Sequence, residues 1–286
     1  MKKKILVSVG ALVALLFMLD SCMQFRLSTT EIDEKFALSK VYGVQGTYQY
    51  QKRTIHYAKT GRNEGPLVLF VHGSPGSLSD FISFLMDSTL QRSAQLVSVD
   101  RPGFGQSNFG RAEPSLEQQA KIIKPIIEKF SKGQPVVLVG HSLGGPVIAR
   151  MAGDYPELVD GLVFVAGSVD PQMEPANWWR APFVTPFFRW IVPRSIRASN
   201  DEIYPLKKEL QELSRNWDRI DAKTIVIHGT KDSLVPFENA AFIENKLKTI
   251  KPTMVFEEGM DHFVPWSHPQ LIRNGIMKLL DDLNKN

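Results

Sequence analysis

Six short, nearly unbroken apolar runs constrain this chain more than any other feature of its sequence. Leu67–Val71 is wholly apolar, and comparable runs follow at Leu96–Val99, Val136–Val139, Leu162–Val165, Ile225–Ile227 and Met254–Phe256. A strand with one face in water alternates apolar and polar residues, whereas a strand covered on both faces does not. Between the runs lie amphipathic helix candidates near Asp80–Gln91, Leu116–Phe130, Val147–Ala152, Phe237–Leu247 and Gln270–Leu283. Strand and helix in regular succession predict a mostly parallel sheet with helices on both faces. Two alternating stretches, Gly46–Tyr50 and Thr54–Lys59, come first and read as an antiparallel pair at one edge, which makes eight strands in all.

Composition narrows the class of function. At 286 residues the chain is within range for a single large α/β unit, and 43% hydrophobic with 22% charged residues excludes fibrous and largely disordered classes. Its 34 basic and 30 acidic residues are spread along the chain, which argues against a nucleic-acid partner. The single cysteine, Cys22, excludes an internal disulfide framework and a cysteine-based zinc site.

Lys2, Lys3 and Lys4 precede an apolar run from Ile5 to Leu19, which has the charged start and the length of a secretory signal and is short for a membrane span. The run ends in Leu19-Asp20-Ser21-Cys22, which resembles the bacterial lipobox, with Asp20 departing from the small residue usual at that place. The resemblance implies a lipoprotein signal over 1–21, a lipidated Cys22 as the first mature residue, and a location in the bacterial cell envelope. In a Gram-negative host, Met23 after the cysteine would favour the outer membrane. A polar tether is expected over 22–40. An uncleaved anchor or an ordinary signal peptide is the competing reading.

The chemistry gathers at strand ends. Val136–Val139 runs into Gly140-His141-Ser142-Leu143-Gly144, a G-x-S-x-G sequence between a predicted strand and a predicted helix. His72-Gly73-Ser74-Pro75-Gly76 follows the third strand and Asp100-Arg101-Pro102-Gly103-Phe104-Gly105-Gln106-Ser107 the fourth. Gly229-Thr230-Lys231-Asp232 and Gly259-Met260-Asp261-His262 follow the last two. In this order the sequence resembles the α/β-hydrolase superfamily from about Val41 onward. The resemblance implies the α/β-hydrolase fold, a mostly parallel eight-stranded sheet with a helical cap inserted after the sixth strand. The core would then comprise 41–167 and 220–286, with the cap at 168–219.

Acyl transfer needs a hydroxyl nucleophile, an imidazole to take its proton and a carboxylate to orient the imidazole. Ser142, His262 and Asp232 supply these groups in the order Ser, Asp, His. The resemblance implies the backbone amides of Ser74 and Leu143 as the oxyanion hole. Asp170, after the sixth strand, is the alternative acid, and His268 competes with His262. His56, His72, His141 and His228 read as structural, and Asp100 as an acceptor buttressing its turn. No Walker sequence, H-E-x-x-H or complete dinucleotide fingerprint occurs, so no cofactor and no metal are inferred.

The insert at 168–219 holds Trp178, Trp179, Trp190 and Trp217, with Arg180, Arg189, Arg194 and Arg197 nearby. Its aromatic residues fit a helical cap's own core, an apolar acyl pocket, or a face for a bilayer or an anionic substrate. The expected function is a serine hydrolase that cleaves carboxylic esters of a small-molecule acyl substrate. The alternatives are amide, thioester or carbon–carbon cleavage or acyl transfer on the same triad, and a non-catalytic binding protein on this scaffold. Oligomeric state is open.

Overall fold

The computed structural model describes residues 18–175 and 177–285. Most of the expected signal therefore lies outside the described residues. The strands are β1 (Val44–Tyr50), β2 (Arg53–Gly61), β3 (Leu67–Val71), β4 (Gln95–Val99), β5 (Val136–His141), β6 (Gly161–Val165), β7 (Lys223–Gly229) and β8 (Thr253–Glu257). They form one sheet in the order β1-β2-β4-β3-β5-β6-β7-β8. The pairs β1·β2 and β2·β4 are antiparallel and the others parallel.

Every residue of β3, β4 and β6 is buried, which is why these segments do not alternate in sequence. Leu67, Leu69 and Val71 of β3 enter one core cluster, and Val68 and Phe70 enter another on the opposite face. Among the described residues the helices of eight residues or more are α1 (Thr29–Leu38), α2 (Leu116–Phe130), α3 (Gly144–Asp154), α4 (Arg194–Ile203), α5 (Leu206–Leu213), α6 (Glu238–Lys246) and α7 (Pro269–Leu283).

Two segments differ from expectation. The stretch read as a polar tether contains α1, opened by a capping box between Ser28 and Glu31, and its Ile32 and Phe36 are buried in the second core cluster. Two apolar residues four apart are too few to stand out in a polar stretch. The helix expected over Asp80–Gln91 is instead a 3-10 turn at Leu78–Phe81 and two short helices, Ile82–Leu85 and Ser88–Ser93. Asp87 ends the first by capping the second, accepting from the amides of Thr89 and Leu90.

Strand order reverses between β3 and β5, so the loops after these two strands diverge and leave a crevice at their carboxyl ends. Register brings those ends level: Val71 pairs with Val99 and with Gly140, and His141 with Val165. The segment between β6 and β7 carries short helices at Trp178–Arg180, Ala181–Val184 and Pro186–Arg189, then α4 and α5. It is joined to the sheet by a buried ion pair in which the Arg101 guanidinium donates to both Glu202 oxygens at 2.7 and 2.9 Å.

Candidate active site

Ser142 occupies the turn between β5 and α3 with φ +53°, a left-handed conformation that costs a side-chain-bearing residue on the order of 1–3 kcal/mol. The turn closes so tightly that its flanking positions have no room for a side chain. A Cβ on Gly140 would lie 2.5 Å from the Gly144 carbonyl oxygen, and one on Gly144 would lie 2.1 Å from that of Val71. The Ser142 amide donates to the Val165 carbonyl at 2.9 Å, which ties the turn to the end of β6.

The loops after β7 and β8 bring Asp232 and His262 together. His262 Nδ1 donates to Asp232 Oδ2 at 2.7 Å, and both residues are buried. Asp232 Oδ1 accepts from the amides of Leu234 and Val235 at 2.9 and 2.8 Å. His228 adds a contact to Oδ2 at 3.5 Å and donates to the Val235 carbonyl at 3.0 Å. Burial alone would raise this carboxyl, but the bonds from His228, His262 and Val235 outweigh it and hold Asp232 well below the usual carboxylate range. Asp232 therefore stays charged, able to fix the His262 tautomer with the proton on Nδ1 and leave Nε2 free to accept one.

Ser142 and His262 line the same two cavities. Among the described residues no hydrogen bond joins the Ser142 hydroxyl to His262, and such bonds often tighten only with substrate in place. Asp170 lies elsewhere. Its carboxylate accepts from the Gln172 amide at 2.8 Å, and it lines a separate surface cavity with Phe242 and Lys246. His268 is half-buried and faces Glu257 at 3.8 Å, away from Asp232.

Ser74 and Leu143 line a cavity with Ser142. Leu143 is the N-cap residue of α3, so its amide belongs to the helix start that has no partner within the helix. His72 holds the Ser74 loop: its Nδ1 donates to the Gly73 carbonyl at 2.7 Å and its Nε2 accepts the Arg101 amide at 2.9 Å. The Arg101 side chain, fully buried, donates to the His72 and Gly73 carbonyls at 2.8 Å each. One guanidinium thus fixes the Ser74 loop and the insert at once. Sequence reasoning missed this role, although an arginine directly after a doubly buried strand was the available signal; nothing in the sequence pointed to Glu202.

The remaining histidines are structural. His56 pairs with Asp100 at 2.8 Å, and Asp100 also accepts the amides of Leu78 and Gln106, so it buttresses two loops. Burial and the charge of neighbouring His262 push His141 down to about 3, and its Nε2 donates to the His262 carbonyl at 3.0 Å.

Two cavities meet at Ser142. One, of about 600 Å³, is walled largely by apolar groups including Phe25, Ile196, Leu234, Phe263 and Trp266. The other, of about 260 Å³, is lined on the insert side by Glu174, Asn177 and Arg180 together with Pro175, Ile203 and Leu206. Such a site can hold an apolar group on one side of the serine and a group of mixed character on the other. Among the described residues, no group of three or more His, Cys, Asp or Glu side chains is placed to hold a metal ion.

Residues 66–191 match the family model described as alpha/beta hydrolase fold. A solved membrane phospholipase A, described as a bacterial virulence factor, is similar over the whole of both chains, with a TM-score of 0.67 and 17% identity. A putative lipase from Acinetobacter baumannii AYE superposes with a TM-score of 0.68 over 91% of this chain and 98% of its own, at 17% identity. The multifunctional-autoprocessing repeats-in-toxin protein of Vibrio vulnificus is 27% identical over 135 residues, 46% of this chain and 3% of the toxin. The match thus spans only a small part of that relative's length.

Proposed function

Since the chain has the alpha/beta-hydrolase fold, we propose that it is a serine hydrolase cleaving carboxylic esters through an acyl-enzyme. Ser142 Oγ attacks the ester carbonyl carbon while His262 Nε2 takes its proton. The oxyanion that forms is met by the amides of Ser74 and Leu143. Collapse breaks the bond to the alcohol, which leaves with the proton from His262. Water then adds to the acyl-enzyme with His262 again as base, releasing the acid and restoring the serine hydroxyl.

The observation that carries this reading is Ser142 on its left-handed turn, sharing a cavity with an imidazole that Asp232 orients. A serine in a helix cap needs neither the turn nor the pair. The apolar cavity suits the acyl chain. The solved neighbours described as a phospholipase and a putative lipase favour an ester of a lipid as the natural substrate.

From the lipobox-like Leu19-Asp20-Ser21-Cys22 we propose separately that the protein is anchored in a bacterial cell envelope, with the exposed Cys22 as its lipid-bearing residue. No described helix is long and apolar enough to cross a membrane.

A fluorophosphonate probe tests the activity. Peptide mapping should find the label on Ser142, and Ser142→Ala should remove it together with hydrolysis of p-nitrophenyl esters. Labelling that survives the substitution would move the nucleophile elsewhere. Intact mass of the membrane-extracted protein tests the anchor, which requires an acylated residue 22 as the amino terminus.

A further inference from the structure

The segment just before α1 does not hang free. Asp20 accepts the Arg194 amide at 2.6 Å and pairs with its guanidinium at 2.7 Å, at the start of α4. The Met23 carbonyl accepts from Ser195 Oγ. Arg26 bonds the Gly105 carbonyl and lies 4.1 Å from the centre of the Phe109 ring, whose other contact is Arg194 at 5.0 Å. Between these fixed points Phe25 forms part of the wall of the apolar cavity that reaches Ser142. Asp20 and Met23 are therefore held against the start of α4, near the mouth of the site.

Directly before α4 the insert exposes large rings. Trp178 is 78% exposed, Phe187 75% and Trp190 63%. Trp190 stands four residues before Arg194, so at most about 14 Å of chain separates it from the place where Asp20 is held. Large rings exposed within one short segment have the make-up of a contact surface, where singly scattered ones do not. Arginines outnumber carboxylates around them: Arg189 pairs with Asp201, while Arg180 and Arg197 form no salt bridge among the described residues, although Glu174 lies near Arg180 and Asp201 near Arg197. Processing before Cys22 would also remove Asp20 and leave Arg194 without its carboxylate.

We propose that the insert arm, residues 178–191, and the amino-terminal segment 22–26 form one docking face for a phospholipid leaflet carrying anionic headgroups, which holds the mouth of the catalytic cavity against the lipid. Indole and phenyl rings partition into the interface between headgroups and acyl chains, and arginines add attraction to anionic lipid. Phe25, Leu234, Phe263 and Trp266 line the cavity and are themselves exposed, so an apolar path runs from the docking face toward Ser142. The substrate class that follows is an ester of a membrane lipid taken from the leaflet in which the protein is anchored. This last step rests on the esterase reading; the docking face does not.

The test uses the full chain reconstituted into vesicles of equimolar phosphatidylcholine and phosphatidylglycerol with acyl-chain-brominated lipid. Tryptophan fluorescence should be quenched, and Trp178→Phe with Trp190→Phe should remove most of the quenched signal. Quenching absent from the wild type, or unchanged by the double substitution, would overturn the docking face. The same vesicles without phosphatidylglycerol should quench less, and equal quenching would overturn the anionic assignment. Ser142→Ala should quench as the wild type does, so loss of activity and loss of docking remain separate results. Trp178→Ser with Phe187→Ser should lower hydrolysis of a vesicle-borne fluorogenic phospholipid at least tenfold and hydrolysis of p-nitrophenyl acetate less than twofold. Equal losses on both substrates, or none on either, would overturn the proposal.

Discussion

The cavity at Ser142 has two walls built on opposite principles. On the sheet side most buried polar groups have partners, the exceptions among the described residues being one ring nitrogen each of His56, His141 and His228. His262 is held by Asp232, Asp100 serves two loops and a histidine, and Arg101 satisfies two carbonyls, a glutamine and a glutamate. On the insert side, large rings stand in water and the arm between Trp178 and Trp190 contains no buried residue. A wall that must hold atoms in place for a reaction is fixed by buried, satisfied polar groups, because each unmet bond there would be costly. A wall that meets a variable apolar partner leaves surface open. The two join at Arg101–Glu202, where a charge from each side is buried in a single bidentate pair.

The comparison can be broken most severely on the sheet side. Asp232→Asn should lower kcat by about 10³- to 10⁴-fold, because the amide leaves His262 in the wrong tautomer while the geometry persists. Asp170→Asn should lower it less than about threefold, as expected of a group outside the active site. Steady-state kinetics on a short p-nitrophenyl ester measures both, and the reverse ranking would return the acid role to the other loop.

The junction comes next. Glu202→Gln leaves the Arg101 charge buried with no counterion, which should destabilise the protein by about 3 kcal/mol in urea unfolding. Because Arg101 also donates to the His72 and Gly73 carbonyls, kcat on the short ester should fall as well, with KM changing little. A loss confined to stability would show that the Ser74 loop holds its shape without the arginine.

Asp80 sharpens the contrast, since it is a buried carboxyl with no salt bridge among the described residues. It lines the apolar cavity, and burial, with the charge of Asp100, pushes its carboxyl up to about 7 against the Ser77 amide and Arg101. Its folded value lies above the unfolded one. The contribution is therefore complete below about pH 4 and is lost as pH rises through about 7. Asp80→Asn keeps an acceptor for Ser77 and removes the titration. The variant should gain on the order of 1 kcal/mol relative to the wild type between pH 5 and pH 8, read by thermal unfolding. Parallel pH profiles for the two proteins would show that Asp80 titrates as it does in the unfolded chain.

How much of this was legible in the sequence follows the same divide. The buried strands were visible because two-sided burial writes unbroken apolar runs; Leu67–Val71 is β3 to the residue. The close approach at Gly140 and Gly144 was visible because only glycine fits it. The pairing of Asp232 and His262 came from a resemblance, since thirty residues of chain separate them and nothing local links them. Arg101–Glu202 stayed hidden for the same reason, across a separation of 101 residues. Helix α1 stayed hidden because its two core contacts, Ile32 and Phe36, sit among polar residues.

The smallest effect belongs to the insert arm, and its smallness is what tests the contrast. Trp178 and Phe187 expose most of their surface, so their rings have little packing to lose. Replacing either with serine should change the urea midpoint by the equivalent of less than about 0.5 kcal/mol, the range of ordinary surface substitutions. Phe187 does stack edge-on against Phe188 at 4.9 Å, which bounds its own contribution to about one aromatic contact. Trp217, in the same insert but buried against Phe164 and Phe242, supplies the internal control. Trp217→Ala should cost about 3 kcal/mol or more through the cavity it leaves. If the exposed rings proved as costly as Trp217, the arm would be packed as a core in solution, and the open wall would have to be redrawn as a closed one.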